Sequence, residues 1–166
     1  MSSQFRAAVI TLSDKGSTGE REDTSGPFII EFLRNHGYEI AAQELLPDEQ
    51  QLIEERLSYL ADEDLCELII TTGGTGLSPR DVTPEATRNV IDRDVPGISE
   101  AIRAYSMTIT KRAMLSRAVS GIRKQTLIIN LPGSKKAVEE SLAFIIDTLS
   151  HGLAIMRQTQ GDCARE

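Results

Sequence analysis

Short apolar runs alternate with amphipathic helical segments along nearly the whole chain, and this alternation constrains the fold more than any other feature. Ala7-Ala8-Val9-Ile10-Thr11-Leu12, Leu68-Ile69-Ile70-Thr71 and Thr126-Leu127-Ile128-Ile129-Asn130-Leu131 are unbroken runs of strand length. Such runs suit parallel strands covered on both faces. Glu39 to Leu46 reads as a further strand. Between strands, Ile29, Phe32, Leu33 and His36 fall at helical spacing behind Pro27, and Gly37 supplies a left-handed stop. Pro47-Asp48 opens another helix, with Ile53, Leu57 and Leu60 on one face. Pro84 suits the first turn of a short helix ending near Val90. Ile98, Ala101, Ile102 and Tyr105 follow i, i+3, i+4 and i+7 behind Pro96-Gly97. Val138, Leu142, Ile145, Ile146, Leu149 and Leu153 stripe the last helix. Residues 107–124 mix a helical piece around Ala113-Met114-Leu115 with a strand-like one. The pattern predicts a three-layer α/β/α sandwich built on a mostly parallel sheet. The 166 residues suit one domain over 1–157, followed by a polar tail over 158–166.

Charge and composition remove several function classes. Eighteen Lys and Arg against 25 Asp and Glu leave a net charge of −7, which argues against a nucleic-acid partner. No apolar stretch approaches the roughly 20 residues of a membrane span, and the start lacks a signal-peptide core. The expectation is a cytoplasmic protein that engages no membrane. Cys66 and Cys163 form no CxxC pair, and with His36 and His151 they assemble no zinc set. Cys66 reads as structural, and Cys163 falls in the tail. His36 suits a helix C-terminal dipole partner, while His151 lies far along the chain from the loops that follow strands.

In an open parallel sheet, ligands bind beyond the carboxyl ends of the strands. Three loops at that edge are built from glycine and small hydroxyl residues: Ser13-Asp14-Lys15-Gly16, Thr72-Gly73-Gly74-Thr75-Gly76 and Pro132-Gly133-Ser134. Backbone N–H groups in such loops can approach an anion closely, and Ser134 stands at a helix start. The chain lacks a P-loop, because Gly76 is not followed by Gly-Lys-Ser/Thr. Pro79 occupies the last glycine position of GxGxxG, and no GxSxG elbow is present. Asp48 and Asp81 follow strands at the same edge. Carboxylates beside a phosphate repel it unless a cation such as Mg²⁺ lies between them. Asp48 could equally cap its helix, and Asp81 could be a turn residue. Lys15, Arg80, Lys135 and Lys136 are the nearby positive groups, and each could equally be a solvated surface residue.

The segment Thr71-Thr72-Gly73-Gly74-Thr75-Gly76-Leu77-Ser78-Pro79-Arg80-Asp81-Val82-Thr83-Pro84-Glu85-Ala86 resembles the signature of the MoaB/Mog molybdopterin-binding proteins. The resemblance extends through Thr11-Leu12-Ser13-Asp14, Leu46-Pro47-Asp48, Pro96 to Arg103, Met114 to Arg123 and Asn130 to Ser134. It implies an α/β/α sandwich that serves molybdenum-cofactor biosynthesis. Active members adenylylate molybdopterin with Mg-ATP and release pyrophosphate. By the resemblance, Asp48 and Asp81 are the catalytic acids, acting through Mg²⁺. Gly73, Gly74, Thr75 and Gly76 would hold phosphate. Ser13, Asp14, Gly133 and Ser134 would line the pterin and nucleotide pocket. Glu100, Ser116 and Arg117 match the pattern without an implied role. The resemblance also implies a homotrimer or hexamer and a downstream molybdenum-insertion protein as partner. Ser134-Lys135 follows the MoaB-named branch, which keeps a non-catalytic pterin carrier as the alternative; a gephyrin-like scaffold fits less well.

Overall fold

The computed structural model describes residues 4–158, so Cys163 and nearly all of the expected tail lie outside the described residues. In chain order the elements are β1 (Arg6–Leu12), α1 (Asp14–Ser17), α2 (Ser25–Asn35), β2 (Glu39–Leu46), α3 (Gln50–Asp62), β3 (Leu68–Thr72), α4 (Thr83–Val90), β4 (Arg93–Asp94) and α5 (Pro96–Met107). A 3-10 turn (Lys111–Leu115), β5 (Ser120–Arg123), β6 (Thr126–Leu131) and α6 (Lys135–Met156) complete the chain.

The six strands form one sheet in the order β2-β1-β3-β6-β5-β4. β2, β1, β3 and β6 run parallel, while β5 pairs antiparallel with both β6 and β4. The three unbroken apolar runs are the central strands, where helices cover both faces and leave no side open to solvent. On one face, Val9, Ile70 and Ile129 meet Ile29 and Leu33 of α2, Ile102 of α5, and Leu142 and Leu149 of α6. On the other, Ile10, Ile69 and Ile128 meet Ile53 and Leu57 of α3, with Ala86 and Val90 of α4. Each fully buried Ile or Leu contributes about 1.5–3 kcal/mol of transfer free energy. Cys66 belongs to this second layer; burial pushes its thiol up to about 12, so Cys66 offers no nucleophilic thiolate near neutrality.

β1 is the pivot for function. The chain leaves it through α2 to β2 on one side, then crosses back through α3 to β3 on the other. Successive strands therefore diverge at the β1–β3 boundary, and a crevice opens beyond their carboxyl ends. Residues 107–124 resolve into the end of α5, the 3-10 turn and β5. β5 and the two-residue β4 form an antiparallel extension, short enough that no period-2 pattern marks them in the sequence. Asn130, buried in β6, ties this extension to the centre. Its Nδ2 donates to Thr71 Oγ1 (3.0 Å) and Thr87 Oγ1 (2.9 Å), while its Oδ1 accepts from Val119 N (3.1 Å). A buried amide satisfied at both ends fixes β3, α4 and the approach to β5 in one arrangement.

Candidate active site

The glycine-rich loops meet beyond the β1–β3 crevice. Gly73 N–H donates to Leu131 O, Thr72 Oγ1 to Pro132 O (2.7 Å), and Ser25 Oγ to Gly133 O (2.8 Å). The ends of β3 and β6 and the start of α2 are thus joined directly. Gly73 and Gly74 both have positive φ, +98° and +67°, which lets the chain fold back under this rim. A Cβ on Gly73 would stand 2.3 Å from Leu12 O, and one on Gly74 2.3 Å from Thr83 Oγ1. Thr83 Oγ1 donates to Gly73 O (3.0 Å), and Thr83 N–H to Gly74 O (3.2 Å). This fixes the turn against α4. The N–H groups of Gly74, Thr75 and Gly76 donate to no acceptor among the described residues, which leaves them free for an anion.

A cavity of about 470 Å³ opens at this rim, lined by Ser13, Asp48, Gly73, Gly74, Asp81, Gly133, Ser134 and the 21–25 segment. Four carboxylates border it, Glu22, Asp23, Asp48 and Asp81, against one cation, Arg21. Asp23 is committed: its Oδ2 accepts from Thr11 Oγ1 (2.6 Å) and its Oδ1 from Gly26 N (2.9 Å) in the first turn of α2, whose cap position is Thr24. Asp81 Oδ2 accepts from Ser78 N (3.0 Å), closing its own turn.

Asp48 is different. It shares a reciprocal pair with Asp14, in which Asp14 N donates to Asp48 Oδ2 and Asp48 N to Asp14 Oδ1, both at 3.0 Å. The cap position of α3 falls to Glu49, so Asp48 is not the helix cap that its sequence position allowed. Asp48 Oδ1 is buried with no hydrogen-bond partner among the described residues, and it abuts the bare Cα of Gly74. Burial first, then the charges of Asp14 and Asp81, raises the Asp48 pKa above the usual carboxylate range, against the Asp14 N–H and Arg80, which lower it. A buried, unpaired carboxylate oxygen in an acidic cavity has the chemistry of a hard-cation ligand. No group of three His, Cys, Asp or Glu is placed to hold a metal unaided among the described residues. A cation here would share its remaining positions with ligand oxygens and water.

Asp14 does not line this cavity; its carboxylate takes a two-pronged ion pair from Arg80 (2.9 Å each), which holds it below the usual range. Arg80 is further engaged by Glu49, and Lys135 lies over the Phe28 ring. A second cavity of about 410 Å³ adjoins the first through Ser134. Thr75 and Gly76 face it, with Ile102, Leu115, Pro132, Arg103 and Arg112 around them.

The family model described as "Probable molybdopterin binding domain" matches residues 8–151. This chain belongs to that family. Among curated relatives, the molybdopterin adenylyltransferase of Escherichia coli (strain K12) is 43% identical over 146 residues, covering 86% of this chain and 74% of that protein. The molybdopterin adenylyltransferase of Helicobacter pylori (strain J99) is 41% identical over 150 residues, with 86% and 82% coverage. The crystal structure of the molybdopterin biosynthesis enzyme MoaB from Thermus thermophilus superposes with a TM-score of 0.88 at 48% identity, covering 93% of this chain and 98% of that one. The three-layer sandwich and the mostly parallel sheet expected from the sequence are therefore those of this molybdopterin-binding family.

Within this molybdopterin-binding domain, Ser13, Asp48, Gly73, Gly74, Asp81, Gly133 and Ser134 share the first cavity. Thr75 and Gly76 face the second, and Asp14 supports Asp48 from behind. Sequence reasoning passed over Arg21, Glu22 and Asp23. The one available signal was Asp23 just ahead of a helix start, where a short carboxylate can accept a first-turn N–H.

Proposed function

We propose that this domain transfers AMP from Mg-ATP to molybdopterin, releasing pyrophosphate. The observation that carries the reading is the unpartnered Asp48 oxygen in a cavity that it shares with Asp81 and with Gly74, whose N–H donates to no acceptor among the described residues. The curated relatives named molybdopterin adenylyltransferase support the same assignment. A terminal phosphate oxygen of the pterin forms a bond to the α-phosphorus of ATP, and the bond from that phosphorus to the β-bridging oxygen breaks. The nucleophile is already anionic, so no general base is required, and the chain supplies alignment and charge compensation. Asp48 and Asp81 would hold Mg²⁺, which neutralises the phosphate charge as it builds on the leaving pyrophosphate. The N–H groups of Gly74, Thr75 and Gly76 orient the phosphates. Thr75 and Gly76 carry this row into the second cavity, whose apolar wall and Arg103 and Arg112 suit a flat heterocycle bearing an anionic group.

Self-association belongs to the same reading. Met107, Ile109, Met114, Leu115 and Phe144 expose large apolar surface around the end of α5, the 3-10 turn and the middle of α6, where Tyr105 stacks on Phe144 at 4.3 Å. The trimer or hexamer implied by the family resemblance would cover it. No helix among the described residues is long and apolar enough to cross a membrane, and a cytoplasmic biosynthetic role fits.

Incubating the protein with molybdopterin, ATP and Mg²⁺ tests the assignment. Pyrophosphate and adenylylated pterin are the expected products, and only with all three present. Pterin binding without AMP transfer would identify a carrier instead.

A further inference from the structure

The loop from Thr75 to Asp81 carries one proposed acid and faces both cavities, and two arginines tie it to the rest of the fold. Leu77, Ser78, Pro79 and Arg80 are exposed, and the Ser78–Asp81 hydrogen bonds close the loop only upon itself. Its own Arg80 reaches out from the exposed tip to Asp14 and Glu49, while both ends of the loop are held from a distant segment. Arg117 N–H donates to Thr75 O (2.8 Å), Nε to Gly76 O (2.7 Å) and Nη2 to Asp81 O (2.6 Å), while Nη1 pairs with Glu85 at the start of α4. A single guanidinium thus grips both ends of the loop and the first turn of the helix that follows. It lines neither cavity. Glu85, with its pKa lowered chiefly by Arg117, keeps the guanidinium in place from the helix side.

We propose that Arg117 is a positioning residue that sets the Asp81 carboxylate against Asp48, and with it the spacing of the two cavities. This rests on the adenylylation reading above. The rigid fork of arginine presents Nε, Nη1 and Nη2 to three acceptors spread around its plane; a lysine ammonium brings its three donors to a single point on a flexible stem. The bridging segment lies just ahead of β5, so the antiparallel extension of the sheet acquires a purpose at the active rim.

The test uses Arg117→Lys and Arg117→Ala in the full chain. Amide hydrogen exchange, Mn²⁺–ATP binding followed by the electron paramagnetic resonance of Mn²⁺, and AMP transfer are measured together. For Arg117→Lys, exchange over residues 75–83 should rise about tenfold while β6 and α6 stay within twofold, and Mn²⁺–ATP affinity should fall about tenfold. Ethylguanidinium should restore part of the binding in Arg117→Ala. If that variant does not fold, Arg117→Lys decides alone. Unchanged loop exchange, loosening spread equally over β6 and α6, or a looser loop with unchanged Mn²⁺–ATP affinity would each overturn the proposal. Wild-type protein that binds Mn²⁺–ATP but transfers no AMP would defeat the adenylylation reading and leave the exchange and binding results to judge Arg117. Wild-type protein that binds no Mn²⁺–ATP would defeat both.

Discussion

Asp48 holds an oxygen that the protein does not satisfy, and that oxygen has a cost when no ligand is bound. Because burial raises its pKa, the native state takes up a proton at Asp48 more readily than the unfolded chain does. The stability linked to that proton is complete below the ordinary Asp value near 3.9 and is lost as pH rises through the raised folded value. At pH 7 the ionised group is therefore a net penalty. Asp48→Asn keeps an oxygen for the Asp14 N–H and removes the charge. Without divalent ions at pH 7, its melting midpoint should lie above wild type by about 2 °C, the gap closing below pH ~4. Mg²⁺ with ATP should raise the wild-type midpoint only. A variant that melts lower at every pH would show that the charge is already compensated within the fold. Arg80, named from the sequence as a cation for phosphate, is spent on Asp14 and Glu49; its side chain acts on the site through the Asp14–Asp48 pair.

At the level of elements, the decisive unit is the turn from β3 into α4. Gly74 combines a φ of +67° with neighbours that leave no room for a Cβ: Thr83 Oγ1 at 2.3 Å and Asp48 Oδ1 at 2.9 Å. Gly74→Ala should destabilise by about 1–3 kcal/mol and abolish nucleotide binding, as thermal denaturation and calorimetric ATP titration would show. Stability within 0.5 kcal/mol of wild type (roughly the scatter of surface substitutions) would contradict the turn geometry. This turn was legible in the sequence because glycines directly following an unbroken Leu68-Ile69-Ile70-Thr71 run announce a carboxyl-edge loop. The parallel strands were legible for the same reason: double-sided burial writes itself as continuous apolar residues. β4, two residues long, and α1, four residues long, are too short to impose a period. The bracing of the 75–81 loop by Arg117 could not be read, since it joins residues 32 to 42 positions apart, and only the folded sheet brings them together.

For the whole molecule, a chain of net charge −7 carries four carboxylates at the rim, and an apolar face lies where the end of α5 meets the middle of α6. Phe144→Asp places a charge at the centre of that face, against Tyr105. Sedimentation velocity should show a trimer or hexamer for wild type and a monomer for the variant. A monomeric wild type would remove self-association from the account. Fold class, family and the location of the rim followed from the order of strands and the loops after them. The division of that rim into an acidic and an apolar cavity did not, because only in three dimensions does Ser134 border both while Thr75 and Gly76 turn to the second.

The central claim is that Asp48 and Asp81 together make the glycine rim competent for phosphoryl transfer. Its most direct measurement is single-turnover movement of α-³²P from ATP to molybdopterin by wild type and Asp81→Asn. Wild-type protein should transfer label only with Mg²⁺ and pterin present, and the variant should be slower by about 100-fold or more, some 2.7 kcal/mol of barrier. Label transfer by Asp81→Asn within about threefold of wild type, under 1 kcal/mol, would contradict the account.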